Sequence, residues 1–193
     1  MKAAFFQGDT VEVARKLLGS LLLHRTPEGV TGGMIVETEA YVGAVDKACH
    51  AYKGRSPRTE IMFREGGLAY VYLIYGMYYC FNAVTGPAGE GNAVLVRALE
   101  PIFGLELMQR RRKTRYTENL CAGPGKVCQA LAIGKKEYGM DLCAEDSPLR
   151  ILPYRQYTDC QIIASPRVNV AYAEEAAAWL WRFSVATNPF VSR

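Results

Sequence analysis

Tyr70-Val71-Tyr72-Leu73-Ile74-Tyr75-Gly76-Met77-Tyr78-Tyr79-Cys80-Phe81-Asn82 sets five tyrosines among aliphatic residues, with Gly76 near the middle. Aromatic and β-branched residues alternating around a glycine predict two strands joined by a tight turn. Tyr70 and Tyr72 share one strand face, and Val71 and Leu73 share the other. One face then belongs to a core, and the other carries hydroxyl-tipped rings with Tyr75 beside the turn. A row of exposed aromatics ending in a protruding tip suits stacking on bases or wedging a duplex open. Tyrosines also line many half-buried sheets with no such role.

Working outward from the hairpin, Val30 to Tyr41 reads as a long extended segment in which Glu37 and Glu39 alternate with Val36 and Thr38, so both carboxylates share a face. The run Ala93–Leu99 resembles a buried strand with Arg97 inserted. That arginine either snorkels at a strand end or meets an anion. Asp9 stands where a side chain caps a helix containing Val13, Leu17 and Leu18, and Gly19 stops it. Leu21–His24, Leu149–Leu152 and Gln161–Ala164 are short strand candidates. Ile102–Arg112 and Tyr172–Trp181 have helical composition, and the stretch after Trp181 returns to strand. Gly43 to Gly67 is irregular and charged, the signature of a functional loop. Gly123-Pro124-Gly125-Lys126 opens a helix whose free N–H groups can hold a phosphate, without the spacing of a nucleoside-triphosphate loop. Arg110-Arg111-Arg112-Lys113 either complements a helix dipole or meets phosphates.

The 193 residues suffice for one well-buried core, and the expectation is a single domain over residues 1–193. The class is mixed α/β, with a curved, mainly antiparallel sheet, flanking helices and the protruding hairpin. A net charge of +4 and a pI near 8.7 are compatible with a phosphate-rich partner without requiring one. The N-terminal apolar run is too short for a signal peptide, and no stretch reaches the length of a membrane span. Six irregularly spaced cysteines without a Cys-x-x-Cys pair, and two histidines, argue against zinc and for reduced thiols in a cytoplasmic protein. Paired carboxylates, an aromatic tip and scattered cations together suggest an enzyme that grips a nucleic-acid backbone, displaces a base and activates water. A non-enzymatic nucleic-acid binder, or an enzyme acting on RNA or nucleosides, would use many of the same features.

Six blocks occur in order: Val36-Glu37-Thr38-Glu39-Ala40-Tyr41, Tyr70-Val71-Tyr72, Tyr75-Gly76-Met77, Arg97-Ala98-Leu99-Glu100-Pro101, Gly123-Pro124-Gly125-Lys126 and Ser165-Pro166-Arg167. Together they resemble the alkyladenine, or 3-methyladenine, DNA glycosylase family, from about Asp9 to Arg193. The resemblance implies that Glu39 is the general base activating water, and that Arg97 helps to hold that water and carboxylate. It implies Tyr75 as the intercalating residue and Tyr41, His50 and Tyr72 as walls around the flipped base. Asn82 would form a floor that discriminates against guanine. Apart from the resemblance, Lys126 at the helix start and Arg167 as the cation of the Ser165-Pro166-Arg167 turn, with Tyr70 and Met77, are expected to face the DNA backbone. The implied partner is double-stranded DNA carrying damaged purines, acted on by a monomer with neither metal nor organic cofactor. The residues alone do not choose Glu39 over Glu37. Two departures stand out: many relatives carry histidine at the place of Tyr78, and glycine at the place of Asn169. Asparagine tolerates a left-handed backbone, so the turn at Asn169 is expected to survive.

Overall fold

The computed structural model describes residues 1–192. The order of elements is α1 (Ala3–Phe6), α2 (Thr10–Leu17), β1 (Leu21–Thr26), β2 (Gly29–Tyr41), β3 (Ala69–Ile74), β4 (Tyr78–Thr85), β5 (Asn92–Phe103), α3 (Leu105–Arg112), α4 (Pro124–Leu131), β6 (Leu149–Leu152), β7 (Ile162–Ser165) and β8 (Arg182–Val185), with short 3₁₀ turns between them. All eight strands join one antiparallel sheet in the order β3-β4-β5-β2-β1-β6. β8 also pairs with β2, and β7 with β8.

β2 is the strand that ties the others together. Gly29–Met34 pairs with β1, Glu37–Glu39 pairs with β8, and β5 follows the opposite edge as far as Tyr41. Register shifts on both sides of Glu37 mark a bulge, which adds local twist and re-aims side chains. Beyond the bulge, period two sorts the residues cleanly. Val36 and Ala40 on β2, Val71 on β3, Phe81 and Ala83 on β4, and Val94 and Val96 on β5 enter the main apolar core. Glu39, Tyr41, Tyr70, Tyr72, Cys80, Asn82, Leu95 and Arg97 face the opposite side, where they line a cavity. On the core side, Val13, Ala14 and Leu17 of α2 and Val127, Cys128 and Leu131 of α4 complete the packing. Asp9 caps α2 by accepting the Glu12 N–H at 2.9 Å, as its position predicted.

The hairpin forms where the sequence placed it, with Ile74 opposite Tyr78 across a turn of Tyr75, Gly76 and Met77. Its aromatic face is not a row of exposed rings, however. Tyr70 is 1% exposed and Tyr72 half-buried, while the tip residues Tyr75 and Met77 are 74% and 69% exposed. The loops between β2 and β3 fold over that face and cover it.

Two helical expectations are corrected. Pro101 and Phe103 pair with Gly33 and Gly32, so Ile102 and Phe103 extend β5, and the helix begins only at Leu105, because Gly104 takes φ 73 and breaks the strand. Residues Ala171–Ala178 form 3₁₀ turns interrupted at Glu174 (φ 52), where Lys47 draws in Glu174 and Glu175. In the basic cluster, Arg111 is bonded to Glu28, Thr26 and Thr31, and Arg112 to the Leu120 carbonyl and Gln129. Arg110, Lys113 and Arg115 remain exposed. Cys49, Cys80, Cys121 and Cys128 are buried free thiols, and no helix among the described residues is long and apolar enough to cross a membrane.

β5 approaches β2 so closely that a Cβ on Gly33 would stand 2.3 Å from the Glu100 carbonyl oxygen. Relief would require one backbone to move. Gly33→Ala is therefore expected to cost about 1–3 kcal/mol of stability. Thermal unfolding checks this, and an unchanged midpoint would contradict it.

Candidate active site

The open face of the sheet forms the floor of a cavity of ≈ 350 Å³. Glu39 and Tyr41 come from β2, Tyr70 and Tyr72 from β3, Cys80 and Asn82 from β4, and Leu95 and Arg97 from β5. His50 enters from the loop after β2, and Pro124 and Gly125 from the start of α4. Val168, Asn169 and Val170 close it from the turn after β7. Tyr75 stands at its rim. Seven residues that were singled out for the base site or the wedge thus meet in one place: Glu39, Arg97, Tyr41, His50, Tyr72, Asn82 and Tyr75.

Glu39 is fully buried by its neighbours, yet its carboxylate borders the cavity. The Tyr41 hydroxyl donates to Oε2 at 2.7 Å, the Val168 N–H donates to Oε1 at 2.9 Å, and Arg97 Nη1 lies 3.6 Å from Oε1. Arg97 also places Nε 3.2 Å from Glu37, a second carboxylate with no exposed surface. The arginine therefore lies between two like charges that would otherwise repel across a buried space. Of the two readings open for Arg97, it meets anions, and they are the protein's own.

The walls are aromatic and uncharged. His50 and Tyr72 meet edge to face, 4.6 Å between centroids. Burial, followed by the charge of Glu39, raises the Tyr41 phenol well above its ordinary range. Burial also raises Tyr72 and Cys80, and lifts Tyr70 to about 12. Partial burial of His50, reinforced by the Arg58 guanidinium, lowers its ring to about 4. Arg58 Nη2 donates to Nε2 at 3.4 Å, so Nδ1 carries the proton and donates to the Tyr70 hydroxyl at 2.9 Å. Asn82 Nδ2 donates to the Tyr70 carbonyl at 3.1 Å, which anchors the amide at the floor.

Four further sequence expectations fare differently. Arg167 has a side chain with no exposed surface. It forms a two-pronged pair with Asp46, donates to the Ala40 and Ala176 carbonyls, and stacks behind Tyr41 and Trp181. A guanidinium so enclosed cannot reach a phosphate, and its work is to brace the Tyr41 wall. Tyr70 is likewise buried and supports His50 instead of facing a DNA backbone. Met77 is exposed at the hairpin tip, and half-buried Lys126 follows the cavity-lining pair Pro124-Gly125. Asn169 does take the left-handed backbone, with φ 59. The Val168 N–H bond to Glu39 and the cavity positions of Cys80 and Tyr172 were not foreseen. Only the left-handed turn at Asn169 gave a signal in their neighbourhood.

The depressed His50 value fixes a sign. The unfolded chain takes up this proton below about 6.5, whereas the folded ring stays neutral down to about 4. His50 therefore contributes stability that is present above pH ~6.5 and lost as pH falls towards ~4. An NMR titration of the imidazole is expected to give a midpoint near 4. A midpoint at the ordinary value of ~6.5 would contradict the enclosed, Arg58-capped ring.

The profile of the methylpurine-DNA glycosylase family matches residues 4–189. Proteins from Bacillus cereus (strain G9842) and Bacillus anthracis (strain A0248) are each 48% identical over 199 residues, covering 98% of this chain and 97% of theirs. One from Bacillus thuringiensis (strain Al Hakam) is 47% identical over the same span. All three carry the name "Putative 3-methyladenine DNA glycosylase". With nearly its whole length matched, the chain belongs to the methylpurine-DNA glycosylase family, enzymes that hydrolyse N-glycosyl bonds in DNA.

Proposed function

We propose that this glycosylase flips alkylated or deaminated purines out of duplex DNA and cleaves their N-glycosidic bond with an activated water, leaving an abasic site and an intact strand. The substrate class is 3-methyladenine, 7-methylguanine, hypoxanthine and ethenoadenine. The observation that carries the reading is the meeting, in one cavity, of a buried carboxylate, an uncharged aromatic slot and an exposed tyrosine tip.

Tyr75 fills the gap left in the duplex, and Tyr41, His50 and Tyr72 stack on the displaced base. Stacking is worth roughly 1–3 kcal/mol per base, which offsets part of the few kcal/mol of unstacking. A damaged base that pairs weakly lowers that cost further. π faces and a nearby carboxylate favour cationic, electron-poor purines. Asn82 at the floor opposes the exocyclic amino group of guanine. As the C1′–N bond breaks, its electron pair leaves with the base and oxocarbenium character develops on the sugar. Glu39 stabilises that charge and takes a proton from the attacking water as the C1′–O bond forms. Arg97, held beside Glu39, fixes the orientation of the carboxylate. No lysine nucleophile takes part, so the enzyme is monofunctional and has no lyase step. It acts as a monomer in the cytoplasm, a compartment that suits its free thiols.

Single-turnover assays on duplexes carrying hypoxanthine or ethenoadenine, beside base release from alkylated DNA, test this with wild type and Glu39→Gln. The variant is expected to lose about 10²–10⁴-fold in rate, the usual contribution of a general base, while keeping its affinity for lesion duplexes. A wild type that binds these duplexes and releases nothing would make the protein a binder of damaged DNA, and the proposal would fail.

A further inference from the structure

Glu37 is the second buried carboxylate of the cluster, and the reaction above gives it no chemical step. Its Oε1 lies 3.0 Å from Arg182 Nε and 3.2 Å from Arg97 Nε, yet neither N–H is aimed at it. The aligned donor to Glu37 is the Ser192 backbone N–H, 2.8 Å from Oε2. The Nε–H of Arg97 points instead at the Ser192 hydroxyl oxygen, 3.1 Å away. Ser192 thus grips both members of the pair at once.

The segment that delivers Ser192 is itself fastened. After β8, Asn188 Nδ2 donates to Glu100 Oε2 at 2.9 Å and its Oδ1 accepts the Phe190 N–H at 2.9 Å. Phe190 and Val191 then pack against the main core. Glu100 and Arg97 both belong to β5, so the strap is anchored on the strand whose arginine it touches.

We propose that Ser192 is a positioning residue for Arg97. The guanidinium is a rigid planar fork, so fixing the direction of Nε–H also fixes both terminal nitrogens. With Nε turned to the Ser192 hydroxyl, Nη1 is left facing Glu39. Without that hydroxyl, the acceptor left beside Nε–H among the described residues is Glu37 Oε1, 3.2 Å away. Rotation towards it draws Nη1 away from the carboxylate that handles water. The serine decides which of the two glutamates the arginine serves. This inference rests on the reading of Glu39 and Arg97 given above.

The test compares wild type, Ser192→Ala and Ser192→Thr in single-turnover release of hypoxanthine, in binding to the same duplex, and in thermal unfolding. Ser192→Ala is expected to slow release about tenfold, the equivalent of ~1.4 kcal/mol of transition-state stabilisation. Its lesion affinity and unfolding midpoint should match wild type. Ser192→Thr retains the hydroxyl and should restore the rate. An alanine variant at wild-type rate would overturn the inference alone, leaving the functional reading intact. Rate, affinity and midpoint falling together in both variants would also overturn it, because the strap would then be merely structural. A wild type that releases no base would overturn both readings.

Discussion

Arg97 stands between two carboxylates that have no exposed surface, and this ion cluster is the constraint on which the site depends. Two buried negative charges on alternate positions of one strand are tolerable only with a cation held between them. Removing one partner of such a cluster typically costs about 3–5 kcal/mol, because the remaining charge stays desolvated. Every strand near the cavity is arranged to keep that geometry. β2 presents Glu37 and Glu39 on the same face, β5 brings Arg97 alongside, and β8 adds Arg182 at the edge that β1 has left. The bulge at Glu37 is where β2 exchanges one neighbour for another, and it is also where the cluster sits.

The remainder of the cavity is uncharged by construction. Burial raises its phenols and its thiol, and the same burial keeps His50 neutral. Charge is thus concentrated at Glu39 and Arg97, against walls that offer π faces and hydroxyl groups. Arg167 strengthens this arrangement from behind. Its guanidinium is spent on Asp46 and two carbonyls, which pins the backbone of Ala40 between Glu39 and Tyr41. A cation was needed there as a brace, with no exposed surface left for DNA.

Much of this was legible because period two is a local property. The hairpin, the shared face of Glu37 and Glu39, and the capped α2 follow from residues adjacent in the chain. Arg97 remained ambiguous because its partners lie on another strand, and Arg167 was misplaced because a cation in a Ser-Pro-Arg turn looks exposed. Its buried partner, Asp46, is 121 residues away. Ile102 and Phe103 suit a helix or a strand equally, and only the pairing of Pro101 and Phe103 with Gly33 and Gly32 decides. Choosing Glu39 over Glu37 required the family resemblance. In the structure the difference is visible as the cavity on one side of the cluster and the Ser192 strap on the other.

The central claim is that water, activated at Glu39, attacks the deoxyribose. Single-turnover reaction of a hypoxanthine duplex in the presence and absence of borohydride, followed by mass analysis of protein and DNA, tests it most directly. The expected result is free hypoxanthine, no protein–DNA adduct, and a strand that breaks only on later treatment with alkali. Strand cleavage by the enzyme itself, or a protein–DNA adduct trapped by borohydride, would contradict the account by showing that an amine of the protein had attacked in place of water.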